Sequence, residues 1–233
     1  NPERVGMSKS HNQAFRRARG VLVLQLGADT QVQSGALDAL VAFMRSEPRA
    51  GIAGARLVNP DGSPQPTGRP FPTVTSKLTD LFTHQVARGQ DFFRHSTRSY
   101  ERTEEVDEMC NACLLIRRDV FEQVGYLDEN YFLYFDDVEF SYRVKQGGWK
   151  VFQVVEALVT HAGGVSYSGA SEWAIVEGYR SELVFWSHHG GWWRSLAVRA
   201  INLTVIPLRL ASWLAKLAIG RLDVATLRSR LRA

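Results

Sequence analysis

The 233-residue sequence predicts an α/β domain with a mixed sheet over residues 1–171, followed by a helical, basic segment over 172–233. Three observations predict this. Short, nearly continuous apolar runs recur at 21–26, 52–58, 109–116 and 149–155. Segments with helical spacing alternate with them. After Ser171 the pattern becomes long and helical, and its charge turns strongly positive.

The run Val21–Leu26 reads as a strand buried on both faces, ended by turn chemistry at Gly27-Ala28-Asp29-Thr30. Leu37, Leu40, Val41 and Met44 then fall at helical spacing over 36–45, and Pro48 closes that helix. Ile52–Val58 is a second strand, followed by a turn at Asn59-Pro60-Asp61-Gly62-Ser63. From Pro64 to about Val106 no period holds, which predicts a long irregular insertion of the kind used as a binding loop. Met109–Ile116 is a third strand. Arg117–Val124 is a short helix ended by Gly125, and a further helix runs from near Asp137 to Gln146, stopped by Gly147-Gly148. Trp149–Val155 is a fourth strand, leading to His161.

Hydrophobic residues make up 45% of the chain, enough for a core, which argues against disorder. Cys110 and Cys113 have zinc-like spacing, but no second pair completes a site. In an apolar run they read as buried thiols, and the absence of a disulfide framework suits a reducing compartment. The segment Arg194–Ala233 carries eight basic residues against one acid, Asp223, so its charge is +7 and the remainder is −3. A basic end suits an anionic membrane surface or a local partner. No aromatic-interleaved basic patch in the body points to nucleic acid.

Chemistry concentrates in Phe132-Leu133-Tyr134-Phe135-Asp136-Asp137-Val138-Glu139-Phe140. Aromatic neighbours limit water and raise a carboxyl pKa toward the range useful for a base. The same acids could instead cap the helix that follows. Asp29 ends a strand, as a turn or N-cap residue or as a ligand. His161 follows a strand, where a lone His is usually structural. Asp128-Glu129, after Gly125, either close a turn or present carboxylates to a polar ligand.

The ordered series of Gly6-Met7-Ser8-Lys9-Ser10-His11-Asn12, the strand ending at Asp29-Thr30, Pro60-Asp61-Gly62-Ser63, Asn111–Arg118, Gly125–Glu129, Asp136-Asp137, Gly148-Trp149 and His161 resembles the inverting family 2 glycosyltransferases. Within them it is similar to the rhamnosyltransferase-like branch that builds bacterial surface polysaccharide. The resemblance covers roughly Gly6 to Ser168. It implies a GT-A-like mixed sheet flanked by helices and a divalent cation, Mg²⁺ or Mn²⁺, as cofactor. The partners it implies are a nucleotide-sugar donor, for example dTDP-rhamnose, and a lipid-linked or polysaccharide acceptor.

By that resemblance Asp137 is the base, and Asp136 stands where the family usually has Glu. Asp29 matches the last acid of the metal-binding Asp-x-Asp element, whose first position here is Gly27. His161 completes the metal site or touches the diphosphate. Gly6, Lys9 and Asn12 border the nucleotide with Asp29, while Asn111, Asp128 and Glu129 lie on the acceptor side. The glycine-rich stretch 162–169 resembles a loop that folds over donor. The family's first strand-helix-strand half has no counterpart here, so the expected fold is N-terminally incomplete. Two functions stay open: inverting sugar transfer, and a catalytically degenerate glycan-binding or assembly module on the same fold.

Ser195–Ile219 is long and apolar but carries Arg199, Asn202, Arg209, Ser212 and Lys216 along one face, with a kink expected at Pro207. Three cations argue against spanning a bilayer and for an amphipathic helix lying at its surface, or for packing against a second subunit in a homo-oligomer. The expected location is cytoplasmic, peripheral to the membrane.

Overall fold

The computed structural model describes residues 5–80, 101–162 and 172–220. The chain divides into two units, residues 1–71 with 95–169 and residues 72–94 with 170–233.

The first unit holds one mixed sheet with helices on both faces. In chain order its elements are α1 (Met7–Phe15), β1 (Leu22–Leu26), β2 (Thr30–Val32), α2 (Ala36–Ser46), β3 (Ala50–Val58) and β4 (Gly68–Arg69). After α3 (Val74–Asp80), which belongs to the second unit, there follow β5 (Glu104–Val106), β6 (Glu108–Met109), β7 (Cys113–Arg117), α4 (Arg118–Val124), α5 (Asp136–Gln146) and β8 (Lys150–His161). The main path is β1-β7-β3-β8-β2, with β5 added on β8. Among the described strands β3 and β8 pair in parallel and the other pairings are antiparallel. A separate two-stranded ribbon pairs β4 with β6.

Alternation along the strands sorts the core into two layers. Ile52, Leu114, Ile116 and Val151 face Phe15, Val120, Phe121, Phe140 and Val144, from α1, α4 and α5. Ala53, Leu57, Cys113, Leu115, Val154 and Val159 face Ala36, Leu40 and Met44 of α2. A central strand buried on both faces reads as a continuous apolar run, and β3 is of this kind.

Several expectations change here. The apolar run 21–26 forms a sheet edge rather than a doubly buried strand, and Leu24 and Leu26 stay exposed. The run 109–116 splits into β6 and β7, with Asn111 and Ala112 in the turn between them. The stretch expected to be irregular contains β4, α3 and β5. Residues 30–32 continue past the turn as a strand. Pro207 lies inside a continuous helix.

β8 carries a bulge. Its register with β3 jumps from Ala55↔Val154 to Arg56↔Leu158. Thr103 Oγ1 accepts the freed amide of Val155 at 3.0 Å. Beyond the bulge the strand pairs with β2 and ends at His161.

The second unit contains α3 (Val74–Asp80), α6 (Glu172–His189) and α7 (Gly191–Ala218). Among the described residues no helix is long and apolar enough to cross a membrane.

Candidate active site

The acids of the aromatic run sit at the first turn of α5. Immediately before them, Tyr134 and Phe135 take left-handed backbone angles, φ 64° and 60°. Two such residues in succession are costly, by about 1–3 kcal/mol each, and such strain clusters at functional sites. The turn sets Asp136 and Asp137 on the positive end of the helix. Phe135, the N-cap residue, makes no side-chain capping hydrogen bond; Asp137 Oδ1 accepts the amide of Val138 at 2.9 Å.

The two carboxylates differ in setting. The Asp136 residue is 2% exposed and accepts Asn111 Nδ2 at 3.1 Å. The Asp137 side chain keeps 12% exposure and lies 3.5 Å from Arg69 Nη2. Burial, with the neighbouring Asp137 charge added, pushes Asp136 up to about 7. Burial also raises Asp137, while the Arg69 guanidinium and the Val138 amide pull it back. The pair therefore gives up its last proton far above the ordinary carboxylate range, with Asp137 the more accessible member.

Arg69 and Glu108 are residues that sequence reasoning missed. They face each other in the β4–β6 register. Arg69 Nε lies 2.5 Å from one Glu108 oxygen, and Nη2 donates to the other at 3.1 Å. Gly68 allows the ribbon to form, since a Cβ there would stand 2.7 Å from Val106 Cγ1. Burial pushes Glu108 up to about 8, against the pull of Arg69. For Arg69 burial favours loss of charge, but Glu108 and Asp137 outweigh it and raise its pKa. The available signals were an arginine in the Gly68-Arg69-Pro70 triplet and acids at 104, 105, 107 and 108 crowded before a strand. Cys110, half-buried, and Cys113, buried, are free thiols, and burial pushes both up to about 11, which disfavours the thiolate.

The β6–β7 turn links these acids to the end of β1. Gly27 donates its amide to Ala112 O at 2.7 Å, and buried Gln25 donates to Asn111 O at 3.3 Å. Two residues past Gly27 stands Asp29, whose Oδ1 is 3.4 Å from His161 Nε2. The β2–β8 pairing brings them together, with Thr30 opposite His161 and Ala162 N donating to Asp29 O at 2.9 Å. Gln65 orients the imidazole. Its Nε2 donates to Asn59 Oδ1 and to the His161 carbonyl, so its Oε1 accepts from His161 Nδ1 at 2.9 Å. In the neutral ring the proton then sits on Nδ1, and Nε2 offers a lone pair on the Asp29 side.

Among the described residues no group of three or more His, Cys, Asp or Glu gathers as a metal cluster. Asp29 and His161 still fit a divalent cation as a two-donor site, because Mg²⁺-type sites are commonly completed by substrate phosphates and water. Gly27 leaves that space open: a Cβ there would stand 3.1 Å from Asp29 Oδ1.

The other expected site residues lie at α1 and in the 127–130 loop bonded to it. Gly6 has φ 85°, and a Cβ on it would meet the Phe132 backbone at 3.0 Å. Lys9 is exposed on α1. Asn12 is buried, and both ends of its amide are engaged. Its Oδ1 accepts Leu127 N at 3.0 Å, and its Nδ2 donates to Leu127 O at 2.9 Å and to Glu129 Oε1 at 3.0 Å. Glu129 also takes a long contact from Arg16, and Asp128 Oδ1 accepts the backbone and side chain of Asn130 at 2.9 Å. The structure therefore groups Asp136, Asp137 and Asn111. It pairs Asp29 with His161, and gathers Asn12 with Glu129 at the 127–130 loop. The glycine-rich stretch from Gly163 onward lies outside the described residues.

The chain is similar to several known proteins. The chain is 31% identical over 181 residues to N-acetylglucosaminyl-diphospho-decaprenol L-rhamnosyltransferase of Mycobacterium tuberculosis, a match covering 74% of this chain and 57% of that protein. It is 29% identical over 157 residues to the O-antigen biosynthesis protein RfbC of Myxococcus xanthus, covering 65% of this chain and 12% of that one. Among solved structures it resembles a Pyrobaculum calidifontis mannosyltransferase in complex with GDP-Man and Mn²⁺. The TM-score there is 0.52 at 17% identity, over 98% of this chain and 59% of that one. It also resembles GalNAc-T7 with UDP, GalNAc and Mn²⁺, with TM-score 0.51 and 16% identity over 79% and 35% of the two chains. The mixed sheet flanked by helices is thus GT-A-like. The model of the Glycosyltransferase like family 2 matches residues 1–177, and the chain belongs to that family.

Proposed function

We propose that this chain transfers a sugar, with inversion, from a nucleotide diphosphate donor to a hydroxyl of a lipid-linked or polysaccharide acceptor. The observation that carries the reading is the Asp136-Asp137 pair, held at a strained helix start, partly open at Asp137 and shifted toward neutral pH. Asp137 takes the proton of the acceptor hydroxyl as that oxygen attacks the anomeric carbon. The bond from that carbon to the diphosphate oxygen breaks on the opposite side, so configuration inverts. Asp136 and Asn111 hold the neighbouring acceptor oxygens, with Asp128 and Glu129 further along the same side.

Asp29 and the Nε2 of His161 would hold a divalent cation, which supplies positive charge against the departing diphosphate. Mn²⁺ accompanies the nucleotide in the two solved structures named above. Gly6 and Lys9 border the nucleotide, and Asn12 supports the site by fixing the 127–129 loop. A 6-deoxyhexose donor such as dTDP-rhamnose and a polyprenyl diphosphate acceptor follow the rhamnosyltransferase relative. A lipid-linked acceptor places the work at a membrane surface, with the nucleotide sugar on its cytoplasmic side.

Asp137→Asn tests the assignment. It is expected to abolish turnover while calorimetric titration with nucleoside diphosphate and Mn²⁺ matches wild type. Turnover equal to wild type would reject the role of Asp137.

A further inference from the structure

His11 lies on α1 beside buried Asn12 and one turn before buried Phe15, on which its ring stacks with 5.9 Å between centroids. Facing it from β1 is Gln25, which is 4% exposed. Gln25 Nε2 lies 3.3 Å from His11 Nδ1 and 3.3 Å from Asn111 O. These contacts fix the proton on the ring. A carbonyl oxygen can only accept, so the end of the Gln25 amide facing Asn111 O is its NH₂. The second hydrogen of that NH₂ points to His11 Nδ1, which must offer a lone pair. The neutral ring therefore carries its hydrogen on Nε2. An imidazolium would set one N–H against another at Nδ1, and burial also lowers the His11 pKa. Among the described residues no group accepts from Nε2, and the ring is only half-buried.

The ring stands next to the candidate site. Asn111, whose carbonyl takes the other Gln25 hydrogen, donates from Nδ2 to Asp136 at 3.1 Å. From Gln25 the chain leads on to Gly27 and Asp29. On the same helix, Ser8 Oγ donates to Tyr131 O and Met7 N to Phe132 O, both at 2.8 Å, just before the strained turn that carries the acids. His11 is thus held between the strand leading to Asp29 and the turn that seats Asn111 beside Asp136.

We infer that His11 is a specificity-determining residue, whose Nε2–H donates a hydrogen bond to a hydroxyl oxygen of the sugar in the nucleotide-sugar donor. The inference rests on the transferase reading. A ring locked in its neutral form brings no positive charge to the diphosphate, so it selects among sugars rather than holding the nucleotide. A sugar without an oxygen in reach leaves this N–H unpaired and is disfavoured.

The test uses the full chain with Mn²⁺ in calorimetric titration against dTDP-rhamnose, UDP-GlcNAc and GDP-mannose, each beside its own nucleoside diphosphate. The pair that wild type binds most tightly is carried forward to two variants that separate contact from support. His11→Asn keeps an acceptor for Gln25 where Nδ1 stood and loses the outer donor. It should weaken binding of the nucleotide sugar by about tenfold, with affinity for the nucleoside diphosphate and the circular dichroism melt unchanged. His11→Gln restores a donor near the place of Nε2 and gives up the Gln25 contact. It should melt lower yet bind the nucleotide sugar within about threefold of wild type. A merely supporting histidine would reverse this pattern. Nitrogen NMR of the wild-type ring at about pH 7 should find the hydrogen on Nε2. The inference is overturned by a hydrogen on Nδ1, by nucleotide-sugar affinity unchanged in His11→Asn, or by an equal loss for the nucleoside diphosphate. Wild type that binds no nucleotide of the panel would reject the transferase reading, and the inference with it.

Discussion

Arg69 is the shared counter-ion of buried Glu108 and partly open Asp137, and replacing it with Met tests how the site is held. Its guanidinium contacts Glu108 at 2.5 and 3.1 Å and Asp137 at 3.5 Å, and the Glu108 side chain is only 3% exposed. Removing one partner of such a buried pair typically destabilises by about 3–5 kcal/mol. For a chain of this size that lowers the melting temperature by about 6–20 °C. The pH dependence makes the test specific. Folded Glu108 keeps its proton up to about 8, while the unfolded chain releases it in the ordinary carboxylate range. The native state therefore binds more protons between those limits, and stability falls as pH rises across them. Without Arg69 the window extends to higher pH. Adding Glu108→Gln removes the group that demands the proton. Melts followed by circular dichroism at pH 5 and pH 8 should show the double variant recovering much of the loss at pH 8. At pH 5 protonated Glu108 already resembles Gln, so little should be recovered. Equal rescue at both values, or none at pH 8, would refute the counter-ion role.

Asn12→Ala should destabilise the first unit by about 1–3 kcal/mol in urea titration, because it strands the buried Leu127 amide and carbonyl. A smaller loss than the urea experiment resolves would mean that water replaces both contacts. Asp29→Asn and His161→Ala should each weaken Mn²⁺-dependent nucleoside diphosphate binding by about tenfold or more in calorimetry, with the melting profile little changed. Unaltered affinity in both variants would remove the proposed cation site.

Much of the sheet was legible because its central strands obey the simplest rule. Ala50–Val58 is buried nearly throughout, so its apolar run speaks directly. Helices α2, α4 and α5 were visible from periodicity and from the glycines that end α4 and α5. Helix α1 was not. Its inward residues include Ser8 and Asn12, buried polar groups whose partners, Tyr131 O and the Leu127 backbone, lie more than a hundred positions away. A hydrophobic pattern cannot report a face sealed by hydrogen bonds. β1 misled for the opposite reason: an apolar run says nothing of how many neighbours it will find. The Asp136-Asp137 pair stood out through its aromatic surroundings, whereas Arg69 and Glu108 become a unit only when the short β4–β6 ribbon sets them face to face.

The bulge in β8 has a consequence for how this strand can vary. Three residues, Val155, Glu156 and Ala157, are inserted between the stretch that registers with the middle of β3 and the stretch that ends at His161. Side chains alternate faces along a strand, so an odd insertion inverts which face every later residue presents. The imidazole meets Asp29 because of that parity. Substitutions at these three positions alter local contacts, but deleting any one of them would turn His161 to the far side of the sheet. In this segment the number of residues constrains the chemistry more tightly than their identity.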